Sequence, residues 1–159
     1  MISKSITSND APVGHGPYSP ALKLGDFVFV SGQLPIDQDN HVVGESVAEQ
    51  SMQVIRNILA LLSEIDLELR HIVKTTIYIH DYKKIEEFDQ IYATYFSQPY
   101  PARTVIEVKE MAYGSKVAID CIAMDTLAYE AQFAKDNQWD EIPEHDCANC
   151  PDGSCFDCL

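Results

Sequence analysis

The segment that most limits how this chain can fold begins at Ser46-Val47-Ala48-Glu49. Serine with glutamate three residues later is the capping-box pattern, which satisfies two amide groups that a helix start leaves open. Beyond it Ile55, Ile58, Leu59, Leu62 and Ile65 recur at helical spacing, so one helix is predicted to run to about Ile65 with a single apolar face. Such a helix needs a partner surface, and the rest of the chain offers a sheet. Ile72 to Ile79 alternates Val73, Thr75, Ile77 and Ile79 against Lys74, Thr76 and Tyr78, the pattern of a half-buried strand. Phe27 to Ser31 is a short apolar run closed by Gly32, and Ile2–Ile6, the β-branched run after Pro101, and Val117–Met124 complete the strands. Asn9 to Lys23 reads as a loop stiffened by Pro17 and Pro20. A second helix follows Asp81, its stripe of Ile85, Phe88, Tyr92, Tyr95 and Phe96 ended by Pro99 and Pro101. The order strand, strand, helix, strand, helix, strand, strand predicts an α+β fold, one sheet with two helices on a single face. The opposite face lacks a cover within the chain, so a homo-oligomer is expected.

Charge divides the chain. Residues 129–159 hold eight acids and one lysine, half of the net −14 of the whole chain. We therefore expect a body over residues 1–128 and an acidic, cysteine-rich extension over 129–159. The body is mildly acidic, which argues against a nucleic-acid platform, since phosphate neutralisation needs clustered Lys and Arg. No apolar run approaches the length of a membrane span, and no hydrophobic segment follows Met1-Ile2-Ser3-Lys4. Cytoplasm is the expected location.

Arg103 is the residue with the strongest chemical demand. It lies in Pro101-Ala102-Arg103-Thr104-Val105-Ile106, and a guanidinium at the root of a strand is costly to bury unpaired. Its anion is either a protein carboxylate, Asp120 or Glu107, or the carboxylate of a ligand, which the planar fork can hold bidentately. Asp120 is a lone acid in the apolar run Val117–Ala123, which marks it as either paired or functional. Ser31 and Gly32 end a buried strand where glycine permits close backbone approach, or simply form a β-bulge. Tyr18 presents a hydroxyl from a rigid loop, or packs as a lid.

Gly16-Pro17-Tyr18-Ser19, Val28-Phe29-Val30-Ser31-Gly32-Gln33, Val73-Lys74-Thr75-Thr76, Tyr92 through Phe96 and Pro101-Ala102-Arg103 together resemble the Rid family of reactive-intermediate (imine) deaminases, also called the RidA/YjgF family. The resemblance covers residues 2–126 and leaves out the extension. It implies a chorismate-mutase-like fold, a homotrimer with sites between subunits, and hydrolysis of 2-imino acids such as 2-iminobutanoate and 2-iminopropanoate to 2-keto acids and ammonia, with no cofactor. It also implies that Arg103 binds the substrate carboxylate, that Tyr18, Ser31 and Gly32 line the pocket, and that Asp120 helps place water.

Several positions depart from the archetype. Asp120 stands where Glu is usual and is shorter by one bond, about 1.5 Å. Thr104 and Val105 replace a Ser-Cys or Ser-Ala pair, although Val105 still offers its backbone carbonyl to a substrate. Asp89 falls where archetypal members carry Asn, and either repels an anionic substrate or is a solvated helix residue. Pro20 stands where Gln is frequent. The proton donor is not evident, with His15 and His80 candidates by chemistry alone. These departures leave open a second reading, a non-catalytic trimer that binds small carboxylates as a sensor or scaffold. In a third, the extension carries the function.

Cys147, Cys150, Cys155 and Cys158 form two Cys-x2-Cys pairs around a Pro151-Asp152-Gly153 turn. That spacing suits one tetrahedral Zn²⁺ or an iron–sulfur cluster, or else a partner-docking segment with free thiols. Cys121, inside a strand, is expected to be a small core residue.

Overall fold

The computed structural model describes residues 3–14 and 16–136. Six strands, β1 (Ser3–Ile6), β2 (Ala21–Leu24), β3 (Phe27–Gln33), β4 (Ile72–Ile79), β5 (Ala102–Glu107) and β6 (Val117–Met124), form one mixed sheet in the order β1-β2-β3-β6-β4-β5. The β4–β5 pair is parallel and the other pairings are antiparallel. Helices α1 (Val47–Ser63) and α2 (Ile85–Tyr95) pack on each other and on one face of the sheet. The expected α+β architecture, one sheet with helices on a single face, is present.

The capping box forms as its residues dictate. Ser46 Oγ accepts from the Glu49 amide at 3.1 Å, and Glu49 Oε2 accepts from the Ser46 amide at 3.0 Å. Val54, Ile55, Ile58, Leu61 and Leu62 of α1 are fully buried, as are Phe88 of α2 and Val28, Ile77, Ile79, Val117 and Ile119 of the sheet. Cys121 lies in this core as expected, and burial pushes its thiol far up.

Three expectations change. Asn9–Lys23 is not all loop: Ala21–Leu24 pairs with Phe27–Val30 as a tight hairpin, adding β2. In β4 the inward phase starts one residue earlier than the alternation predicts. A register shift between Ile72 and Lys74 turns Ile72 in and Val73 out, after which Thr75, Ile77 and Ile79 face inward. The first helix ends at Ser63, short of Ile65.

Among the described residues of the first 125, nothing covers the face opposite α1 and α2. Phe27 and Phe29, adjacent to Leu24, are 50%, 42% and 40% exposed, with Ile106 at 40% on the far side of the same face. The Phe27 and Phe29 rings stack at 6.2 Å.

The chain divides after Asp125 into two units. In the second, α3 (Leu127–Asp136) is a helix where the sequence reading places only an acidic extension. The four extension cysteines and His15 lie outside the described residues, so the chelation expectation rests on spacing alone. Among the described residues no helix is long and apolar enough to cross a membrane.

Candidate anion-binding site

Register places Arg103 before any side-chain argument is needed. Val30 pairs with Cys121, Cys121 with Thr75, and Thr75 with Arg103, so the four residues form one row across the sheet and point to one face. The first three are buried beneath the helices. Arg103 ends the row on the outermost strand, where its side chain meets α2. Its Nη1 donates to Asp89 Oδ1 at 2.6 Å, and the guanidinium carbon lies 5.4 Å from the centroid of the Tyr92 ring, a cation–π arrangement.

Tyr92 is itself held firmly. Its hydroxyl is 3.1 Å from Thr75 Oγ1, and its ring stacks on Phe96 at 4.2 Å. Burial pushes its pKa up, against smaller opposing effects from Thr75 and Arg103, so the hydroxyl is neutral at physiological pH. Asp89, Tyr92, Ala93, Tyr100, Pro101 and Arg103 enclose a cavity of about 380 Å³. A guanidinium has five N–H donors, and among the described residues Asp89 is its one hydrogen-bond partner. The fork therefore retains donors for a guest.

Asp89, not Asp120 or Glu107, is thus the acid that meets Arg103, which corrects both expected rivals and the reading of Asp89 as merely solvated. Glu107 accepts from the Tyr82 amide at 3.1 Å. Asp120 pairs in register with Thr76, and Thr76 with Thr104. That is the neighbouring row, so Asp120 faces the side of the sheet opposite to Arg103. There it accepts from the Tyr78 hydroxyl at 2.8 Å, a bond that raises the Tyr78 pKa. One chain does not bring Arg103 and Asp120 together. Val105 shares the Arg103 face, two residues along the edge strand.

Tyr18 and Gly32 meet elsewhere, around a cavity of about 200 Å³ that Gln33 and Tyr113 also line. Tyr18 lies against Gly14 so closely that a Cβ there would fall 2.0 Å from its hydroxyl oxygen, so a side chain at position 14 would displace the Tyr18 ring. Ser31 fastens the loop to β3: its hydroxyl donates to the Ser19 carbonyl at 2.7 Å and its amide to the Pro20 carbonyl at 2.9 Å. It acts here as a clasp, with its hydroxyl proton committed. The β3–β6 register shifts between Val30 and Gln33, so Ser31 and Gly32 do form a bulge, and a Cβ on Gly32 would meet nothing within 4 Å. Three strand spacings, about 14 Å, separate β3 from β5. The Tyr18–Gly32 cavity and the Arg103 cavity are therefore two separate cavities within the chain.

Tyr100 and Tyr113 were not singled out by the sequence, which left Asp89 open between an inward-facing acid and a solvated helix residue. Asp89 and Tyr92 stand one helical turn apart, and such pairs share a helix face. That spacing, set beside the demand of Arg103 for an anion, is the signal that could have found the pair.

With this geometry in place, likeness to known proteins gains meaning. The family described as Endoribonuclease L-PSP matches residues 8–125. The RutC family protein y4sK of Sinorhizobium fredii is 42% identical over 74% of this chain and 94% of its own length. Reactive Intermediate Deaminase A, chloroplastic, of Arabidopsis thaliana is 37% identical over 77% of this chain and 66% of its own. The crystal structure of E. coli TdcF with bound serine superposes with a TM-score of 0.71 at 28% identity, covering 76% of this chain and 98% of that one.

Proposed function

This chain belongs to the Endoribonuclease L-PSP family, and we propose that within it the chain is an imine deaminase that hydrolyses small 2-imino acids, 2-iminobutanoate and 2-iminopropanoate among them, to 2-keto acids and ammonia. The observation that carries this reading is the Arg103 fork: fixed over Tyr92, open to a cavity, and holding more donors than Asp89 uses. The Arabidopsis relative is named a reactive intermediate deaminase, and TdcF, a structural neighbour, holds serine, a small molecule with a carboxylate and a cationic nitrogen. Cleavage of RNA, suggested by the family description, fits poorly with a net charge of −14.

In the proposed reaction Arg103 pairs the substrate carboxylate. Water adds to the iminium carbon to give a carbinolamine, which collapses to the ketone and ammonium. The atoms balance as iminium plus water giving 2-keto acid plus ammonium. The protein supplies orientation and charge placement. Because Asp120 and the Tyr18–Gly32 cavity do not reach Arg103 within one chain, a second copy docked at the β5 edge of the sheet would supply them. A trimer is the arrangement the family resemblance favours.

The test is a coupled assay in which an amino-acid oxidase generates 2-iminobutanoate and semicarbazide traps what survives. Wild type should suppress trapping, and Arg103→Ala should lose roughly 10²-fold or more of that activity, as for loss of a positioning contact. Equal trapping with wild type, variant and no protein would refute the enzyme. Retained binding of small carboxylates in that outcome would leave the non-catalytic binding module.

A further inference from the structure

We propose that Asp89 is the specificity-determining acid of this pocket: with Arg103 it forms a charge-neutral pair that accepts a carboxylate together with an adjacent cationic nitrogen and turns away a carboxylate alone. This deepens the deaminase reading and rests on it.

The two groups sit 2.6 Å apart in one cavity, their side chains 30% and 44% exposed. A carboxylate approaching Arg103 is attracted by one unit charge and repelled by another at nearly the same distance, so most of the Coulomb gain cancels. A protonated 2-imino acid is different. Its cationic nitrogen and its carboxylate sit on neighbouring carbons, a spacing close to that of the Asp89–Arg103 pair. Laid antiparallel, the two dipoles make two attractive contacts: carboxylate to guanidinium, nitrogen to Asp89. The guanidinium also keeps its place over Tyr92, so the neutral pair is held in a fixed orientation.

The same arrangement gives the reaction a direction for release. Hydrolysis replaces the C=NH2⁺ group with C=O, and the positive charge departs on ammonium. The 2-keto acid left behind has lost its contact with Asp89 and keeps only the repulsion. Asparagine at this position, as the archetype carries, would hold both substrate and product through Arg103 with little discrimination. Asp89 thus trades overall affinity for selectivity against product.

Calorimetric binding of 2-aminobutyrate and 2-ketobutyrate, which share a carbon skeleton and differ in the nitrogen, tests the proposal without turnover. Wild type should bind the amino acid about tenfold more tightly than the keto acid. Asp89→Asn should bind the keto acid about tenfold more tightly than wild type does and erase the preference, while Asp89→Glu should keep it. Product inhibition by 2-ketobutyrate should rise in the Asn variant. A wild type with no preference, or an Asn variant whose ratio stays within twofold of wild type, overturns the role of Asp89. The deaminase reading fails on separate grounds, if imine hydrolysis is not accelerated or Arg103→Ala leaves it intact.

Discussion

Tyr92 shows how one side chain joins fold to chemistry. Its ring is the platform for Arg103, and its hydroxyl partners Thr75, which is wholly buried. Removing that hydroxyl leaves the Thr75 oxygen without its partner in the core, a loss of about 1 to 2 kcal/mol. Tyr92→Phe should therefore lower stability by that amount in urea titrations at pH 7. The alkaline limb gives the sign. Burial raises the folded pKa of Tyr92, so its neutral hydroxyl stabilises fully below the unfolded value near 10 and that contribution is lost as pH rises through the folded value. The gap between wild type and Tyr92→Phe should narrow above about pH 10. A gap that widens there would show that Tyr92 is not the buried neutral group described. Arg103 itself was legible from its chemistry. Its partner was not singled out, because Asp89 reaches it across a helix–strand contact at which only the one-turn spacing from Tyr92 hints.

Among the elements, α1 was the most legible because two independent signals agreed, a capping box and a 3.6-residue apolar period. Both are visible as contacts, and the Ser46 and Glu45 amides, bonded to the Glu49 carboxylate, lower its pKa. Ser46→Ala should lower stability by about 1 kcal/mol at pH 7, read by chemical denaturation. Since the folded pKa of Glu49 is depressed, its contribution is present above the usual carboxylate value and fades as pH falls through it. The deficit should therefore shrink in acid. A deficit independent of pH would assign the effect to the Ser46 Oγ–Glu49 amide bond alone and not to the hydroxyl's bond with the carboxylate. Strand β4 was legible in kind and in phase from Thr75 onward; only Ile72 and Val73 differ, since the register shift at Ile72–Lys74 is set by pairing with β6 rather than by alternation. Strand β2 was missed because its four residues follow a proline-rich loop and acquire strand character only by pairing with β3.

At the scale of the whole molecule, the exposed apolar sheet face is the surface on which the proposed assembly rests. Phe29 stacks with Phe27 at the centre of that face, and a charge there would have to be desolvated on assembly. Phe29→Asp should leave the helical signal in circular dichroism intact, elute at the mass of one chain, and lose imine hydrolysis together with assembly. A wild type that is itself a single chain in solution, yet active, would separate catalysis from association. The uncovered face was legible because two helices cannot clothe both sides of a sheet, whereas the placement of Arg103 and Asp120 on opposite sides was not, since row parity becomes visible only once registers are known. One further consequence belongs to the parallel β4–β5 pair and the helix that crosses between them. Asp89, Tyr92 and Arg103 all ride on that single uninterrupted stretch, so transplanting residues 85–107 as one block would carry every wall of the Arg103 cavity with it.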